Sequence, residues 1–169
     1  GCDQLITINQ NIGDEDARIE IFNSNGDKAE ACGNGTRCVA KLLFDEKNKT
    51  DLKLQSLAGI LNAKKINNDT ISVNLGRLSH HWKDIPLARE VDTLNMPIKI
   101  EDFKPGVAVN IGNPHMIFFG KDINSFDLNS FGPQIENNDL FPEKTNVEIV
   151  EVVNRKFLKM RVWERGAGI

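Results

Sequence analysis

The sequence predicts an α+β fold built as two lobes. Short segments with period-two alternation dominate the 169 residues, and only two stretches carry helical spacing. The links between them are mostly of hairpin length, which favours α+β over a parallel α/β sheet. Residues 76–97 contain His80-His81-Trp82 and Pro86 with few periodic apolar positions. That stretch reads as a connector, dividing the chain into lobes at 1–78 and 79–169.

The elements follow in order. Residues 4–8 give a first strand. Residues 12–16, with Gly13 among acidic neighbours, read as a loop. Residues 17–22 alternate, Ile19 and Ile21 against Arg18 and Glu20, and predict a half-buried strand. Asn25-Gly26 suits the type I′ turn that follows. A helix begins near residue 33 and fades by Asn48-Lys49-Thr50, with Leu42, Leu43 and Phe44 as its apolar face. Residues 52–55, 59–63 and 70–75 predict three strands, with Asn67-Asn68-Asp69 as the turn before the last. Beyond the connector, strands are predicted at 98–100, 107–111 and 116–119, with a turn at Gly112-Asn113-Pro114-His115. A helix is predicted over 126–135, interrupted or started at Gly132-Pro133. Strands at 147–153 and 157–163 follow, the second with Leu158, Met160 and Val162 alternating against Lys159 and Arg161.

The densest chemistry lies at Ala31-Cys32-Gly33-Asn34-Gly35-Thr36-Arg37-Cys38. This reads as a Gly-rich loop opening a helix that Asn34 or Thr36 could cap. Cys32 then sits at the helix N-terminus, where free N–H groups and the positive end of the dipole favour a thiolate. The same groups can hold a carboxylate. A free cysteine is more often a small buried hydrophobe, and Cys38, on the helix itself, takes that reading. The Cys32 to Cys38 spacing is not that of a metal knuckle, and no matching Cys/His pair follows. His80 and His81 are adjacent and point to opposite sides of an extended segment, which disfavours a shared metal. Taken singly, Asn23, Asn113 and Asn146 read as turn residues and His115 as a structural histidine. Gln4 alone says little. Arg165 reads as a surface arginine whose planar fork can pair a carboxylate.

Composition narrows the function classes. The chain is 40% hydrophobic and 27% charged, enough for a folded core, and its net charge of −3 argues against general nucleic-acid binding. No run approaches membrane-spanning length, and no signal peptide is visible. Three cysteines do not make a disulfide framework and fit a reducing compartment, so a cytoplasmic protein is expected. The chain opens without Met and stops inside a second Gly-rich loop, so a piece of a longer protein is expected.

The motifs together carry more than each alone. In order they are Asp3-Gln4-Leu5, Phe22-Asn23 with Gly26, the Ala31 to Cys38 block, and Gly112-Asn113-Pro114-His115. Phe141-Pro142-Glu143 with Asn146 and Trp163-Glu164-Arg165-Gly166-Ala167-Gly168 complete the set. Over essentially its whole length the chain resembles the diaminopimelate epimerase family. That resemblance implies an isomerase that interconverts LL- and meso-diaminopimelate in lysine and peptidoglycan precursor biosynthesis. It implies no cofactor and no metal, a small-molecule substrate and a homodimer. The implied fold is two similar lobes, each a curved, mostly antiparallel sheet around a central helix, with the site in the cleft. Cys32 would be one of two catalytic cysteines on opposite faces of the substrate α-carbon, with His115 and Glu164 tuning the pair. Gln4, Asn23, Gly33, Asn34, Asn113, Asn146, Glu164 and Arg165 would bind substrate. The family's N-terminal segment and the part carrying its second catalytic cysteine are not in this sequence, so the 169 residues alone are expected to be inactive. Other readings are a related proline racemase or phenazine-type isomerase, a non-catalytic amino-acid-binding module, and a thiol redox protein resolving through Cys38.

Overall fold

The computed structural model of the chain describes residues 2, 4–10, 13–23, 26–29 and 32–168. The chain forms two units, Gly1–Arg77 and Leu78–Ile169. The first holds strands β1 (Gln4–Asn9), β2 (Ala17–Asn23) and β3 (Lys28–Ala29), helix α1 (Gly33–Lys47), and strands β4 (Asp51–Ser56), β5 (Gly59–Lys65) and β6 (Ile71–Asn74). The second holds β7 (Val107–Asn110), β8 (Pro114–Phe119), α2 (Leu128–Glu136), β9 (Asn146–Asn154) and β10 (Phe157–Trp163). The predicted type I′ turn falls on Asn25, and part of the 12–16 loop on Ile12, both outside the described residues.

In the first unit the sheet runs β1-β2-β4-β5-β6, with β3 also paired to β2. All pairs are antiparallel except β2 with β4, where Ala17 opposes Leu54 and the chain between them passes through α1. Asp16 pins this parallel junction. Its N–H donates to the Lys53 carbonyl at 2.8 Å, its carboxylate accepts from the Lys53 N–H at 2.9 Å, and Lys49 Nζ caps it. α1 buries Thr36, Val39, Ala40, Leu43 and Phe44. Val39, Ala40, Leu43 and Phe44 pack with Ala17 and Ile19 of β2, Leu52 and Leu54 of β4, and Leu61 and Ala63 of β5. Each large side chain so buried is worth about 1.5–3 kcal/mol. The 36, 39/40, 43/44 spacing leaves Leu42 and Cys38 off the stripe, so both are exposed. This corrects the expectation that Leu42 is a core residue and Cys38 a buried hydrophobe. α1 ends at Asn48, which takes the left-handed conformation (φ 50°) and donates its N–H to the Phe44 carbonyl.

The second unit's sheet runs β10-β9-β8-β7, with β8 and β9 parallel and joined through α2. α2 is capped by Asp127, whose carboxylate accepts from the Ser130 N–H at 3.2 Å. Pro133 lies inside it. The core gathers Met116 and Phe118 of β8, Val147 and Ile149 of β9, and Leu128 and Ile135 of α2. Trp163 packs against it, and Arg161 on the same face donates to the carbonyls of Ile123 at 2.8 Å and Phe126 at 2.7 Å. The apolar members of β10's alternation, Leu158 and Met160, lie on the other face and are more than half exposed.

Residues 98–100 do not form a strand, and most of the stretch read as a connector packs within the second unit. His80 and His81 are exposed, but Ile85, Leu87, Met96 and Ile100 are buried in the second core. Ser79 is bridged to Asn110, and the Met96 N–H donates to the Gly106 carbonyl at 2.8 Å. Irregular chain thus packs by scattered apolar residues, which leave no periodic signal. Among the described residues no helix is long and apolar enough to cross a membrane.

Candidate active site

In the first unit Cys32 is itself the N-cap of α1. Its backbone is extended (φ −145°, ψ 98°), its carbonyl accepts from the Thr36 N–H at 2.8 Å, and its Sγ accepts from the Gly35 N–H at 3.3 Å. Asn34 and Thr36 are inside the helix, not its caps. A sulfur replaces the usual cap oxygen and accepts this N–H. The first-turn N–H groups at Gly33 and Asn34 have no carbonyl four residues back within the helix, and a helix receives an anion at such a place. Gly35 lets this turn close on β1: a Cβ there would lie 2.3 Å from Ile6 Cδ1 and 3.3 Å from Cys32 Sγ. Ile6 shares a face of β1 with Gln4, and Gln4 Nε2 donates to Asn23 Oδ1 at 3.0 Å. The turn that carries Cys32 therefore rests on the strand face that bears Gln4 and Asn23, which oppose each other in register. Asn34 turns outward, its Oδ1 bound by Arg37 Nη2.

In the second unit the predicted residues share one end of the sheet. His115 on β8 opposes Asn146 on β9. His115 Nε2 lies 2.8 Å from Asn113 Oδ1, and its Nδ1 lies 2.6 Å from Glu148 Oε1. Asn146 is buried. Its Nδ2 donates to the Pro114 carbonyl at 3.0 Å, and its Oδ1 accepts from the Arg165 N–H at 2.9 Å. It thereby ties the turn after β10 to the start of β8. That turn closes on itself, with the Glu164 N–H donating to the Gly168 carbonyl at 2.7 Å. Glu164 is exposed, while Arg165 is half-buried and reaches the Glu143 carbonyl at 3.2 Å. Among the described residues no three His, Cys, Asp or Glu side chains converge as a metal site.

Each unit thus offers polar groups suited to an amino acid: a thiol at a helix N-terminus in one, and a His–Asn–Arg cluster in the other. The sequence comparison decides which lineage built them. The family described as diaminopimelate epimerase matches residues 1–81 and 107–169. The chain belongs to the diaminopimelate epimerase family. It is 47% identical over 174 residues to the diaminopimelate epimerase of Pelagibacter ubique, covering 100% of this chain and 63% of that protein. It is 45% identical to that of a Wolbachia from Drosophila simulans, and 44% identical to that of Zymomonas mobilis. These cover 100% of this chain and 64% and 61% of the relatives. The chain therefore spans about three fifths of the length of the curated relatives it matches. A solved Bacillus anthracis phenazine biosynthesis protein of the PhzF family superposes with a TM-score of 0.59 at 17% identity. That match covers 97% of this chain and 58% of the other, and it shares the fold.

Residues 82–106 lie outside the two stretches matched to the diaminopimelate epimerase family, yet they supply part of the second core. Two carboxylates were not singled out from the sequence. Glu148 meets His115, and Glu136 accepts from Trp163 Nε1 at 2.7 Å and from the Gly166 N–H at 3.0 Å. An acidic residue within an apolar strand or helix reads as a solvent-facing position. Only the fold supplies its partner.

Proposed function

We propose that the intact protein is a cofactor-independent isomerase that interconverts LL- and meso-diaminopimelate, with Cys32 as one catalytic acid/base. The observation that carries this reading is the capped thiol of Cys32 within a chain of the diaminopimelate epimerase family. The α-proton of an amino acid is a weak acid. Without a cofactor, the protein lowers the barrier by positioning and by dipoles placed where carbanion charge develops. A thiolate at Cys32 removes the proton, and an acid on the opposite face returns another, which inverts the centre. The resemblance assigns that second role to a cysteine outside these 169 residues. The N–H groups at Gly33 and Asn34 hold the α-carboxylate at the positive end of α1. Gln4, Asn23, Asn113, Asn146, Glu164 and Arg165 bind the substrate's polar groups, and His115 and Glu164 tune the thiol pair. The same reading makes the protein a cytoplasmic homodimer.

The test is exchange of the substrate α-hydrogen in deuterium oxide by the intact protein, with Cys32→Ala as the comparison. Interconversion with deuterium uptake that Cys32→Ala abolishes supports the assignment. Near-normal turnover by the variant overturns it.

A further inference from the structure

We infer that Glu148 is a positioning residue for His115, holding the ring through a proton on Nδ1. Glu148 sits in the most buried run of β9, between Val147 and Ile149 of the core, on the opposite face of the strand. Its side chain is only 7% exposed. An ionised carboxylate in such a place destabilises the fold unless it is paired and hydrogen-bonded. The parallel register places Glu148 opposite Ile117, one position along the same face from His115, and brings Oε1 to 2.6 Å from Nδ1. A carboxylate oxygen only accepts, so Nδ1 is the donor. The ring plane is fixed as well, because the other nitrogen is held 2.8 Å from Asn113 Oδ1, which likewise only accepts.

The second oxygen, Oε2, is buried without a hydrogen-bond partner in the described structure. Among the described residues the carboxylate's hydrogen-bond partner is His115, a residue of the candidate site. The link between Glu148 and catalysis rests on the epimerase reading. The link between Glu148 and the ring of His115 rests on distances alone.

The experiment separates the two. The intact protein is labelled with 15N-histidine, and the His115 ring signals are identified by their loss in His115→Asn. Without substrate, the wild type is expected to show a proton on Nδ1. Glu148→Gln, which retains an acceptor oxygen and the packing volume, is expected to keep that proton in place. Glu148→Ala is expected to move the ring to the Nε2–H form that an unrestrained histidine prefers. A wild type with bare Nδ1, or a Glu148→Ala ring that keeps its Nδ1 proton, overturns the inference whatever the activity. In the turnover assay Glu148→Ala is expected to lose about 10- to 100-fold in kcat, within the reach of one acid–base group, with Glu148→Gln recovering most of it. If the protein does not turn over diaminopimelate, the tautomer result still stands or falls alone.

Discussion

Trp163 and Glu136 are joined by a hydrogen bond of 2.7 Å from the indole Nε1 to the carboxylate Oε2. The other oxygen of Glu136 accepts from the Gly166 N–H at 3.0 Å. A buried acid near the end of α2 thus holds both the last residue of β10 and the turn that carries Glu164 and Arg165. Glu136→Ala leaves two donors without acceptors in a part-buried site, and unmet groups of this kind cost about 1–3 kcal/mol each. The expected result is a loss of about 3 kcal/mol in urea unfolding. Glu136→Gln keeps one acceptor and is expected to lose less than half of that.

The same tryptophan sets a steric limit on α2. A Cβ at Gly132 would lie 2.5 Å from Trp163 Cγ and Cδ2 and 2.9 Å from its Cβ. In an open helix Gly→Ala stabilises by about 1 kcal/mol. Here a rigid indole cannot yield, and overpacking costs about 1–3 kcal/mol. Gly132→Ala is therefore expected to lower the unfolding free energy by about 2 kcal/mol. Gly35→Ala presses instead on the mobile tip of Ile6 and on Cys32 Sγ. It is expected to cost less than 1 kcal/mol in stability but to displace the thiol, so activity falls further than stability. Equal losses in the two assays would contradict the close approach at Cys32.

The fold was readable where its signals are local. The Gly-rich loop and the apolar run after it mark α1, and the alternation of Ile19 and Ile21 marks β2 and its buried face. What is set by distant partners was not readable. Nothing local shows that β2 pairs parallel with β4, or β8 with β9, because the pairing is made through α1 and α2. The apolar residues of β10 gave the strand and not its buried face, since Trp163 and Arg161, not Leu158 and Met160, meet the core. The candidate site residues stand in motifs that the sequence displays. Their partners Glu148 and Glu136 were not, because acidic residues carry no sign of what they will meet.

Cys38 offers a direct check on the helix phase. It is exposed on α1, beside the buried stripe of Val39, Ala40, Leu43 and Phe44. Cys38→Ser is expected to change stability by less than about 0.5 kcal/mol, as an exposed substitution does, and to leave turnover unchanged. Leu43→Ala, inside the stripe, is expected to cost about 3 kcal/mol. A large effect at Cys38 would mean that the helix is turned from the phase described.

Asp16 makes the first unit sensitive to acid. Burial by itself raises its pKa, but the bonds from Lys49 Nζ and the Lys53 N–H, with the charges of Lys49 and Lys47, outweigh that and hold it below the ordinary aspartate range. A carboxyl with a lowered folded-state pKa binds its proton more readily in the unfolded chain. Its contribution is therefore present above about pH 4 and is lost as pH falls through the lower folded-state value. Lys49 is half exposed, so solvent screens the pair, and Asp16→Asn is expected to cost only about 1 kcal/mol at pH 7. The sign is the sharper test. Unfolding of the wild type and Asp16→Asn is followed from pH 7 downward, and the gap between them should close below about pH 4. A gap that stays constant across that range would show that Asp16 acts by shape alone, through its bond to the Lys53 N–H, and not by charge.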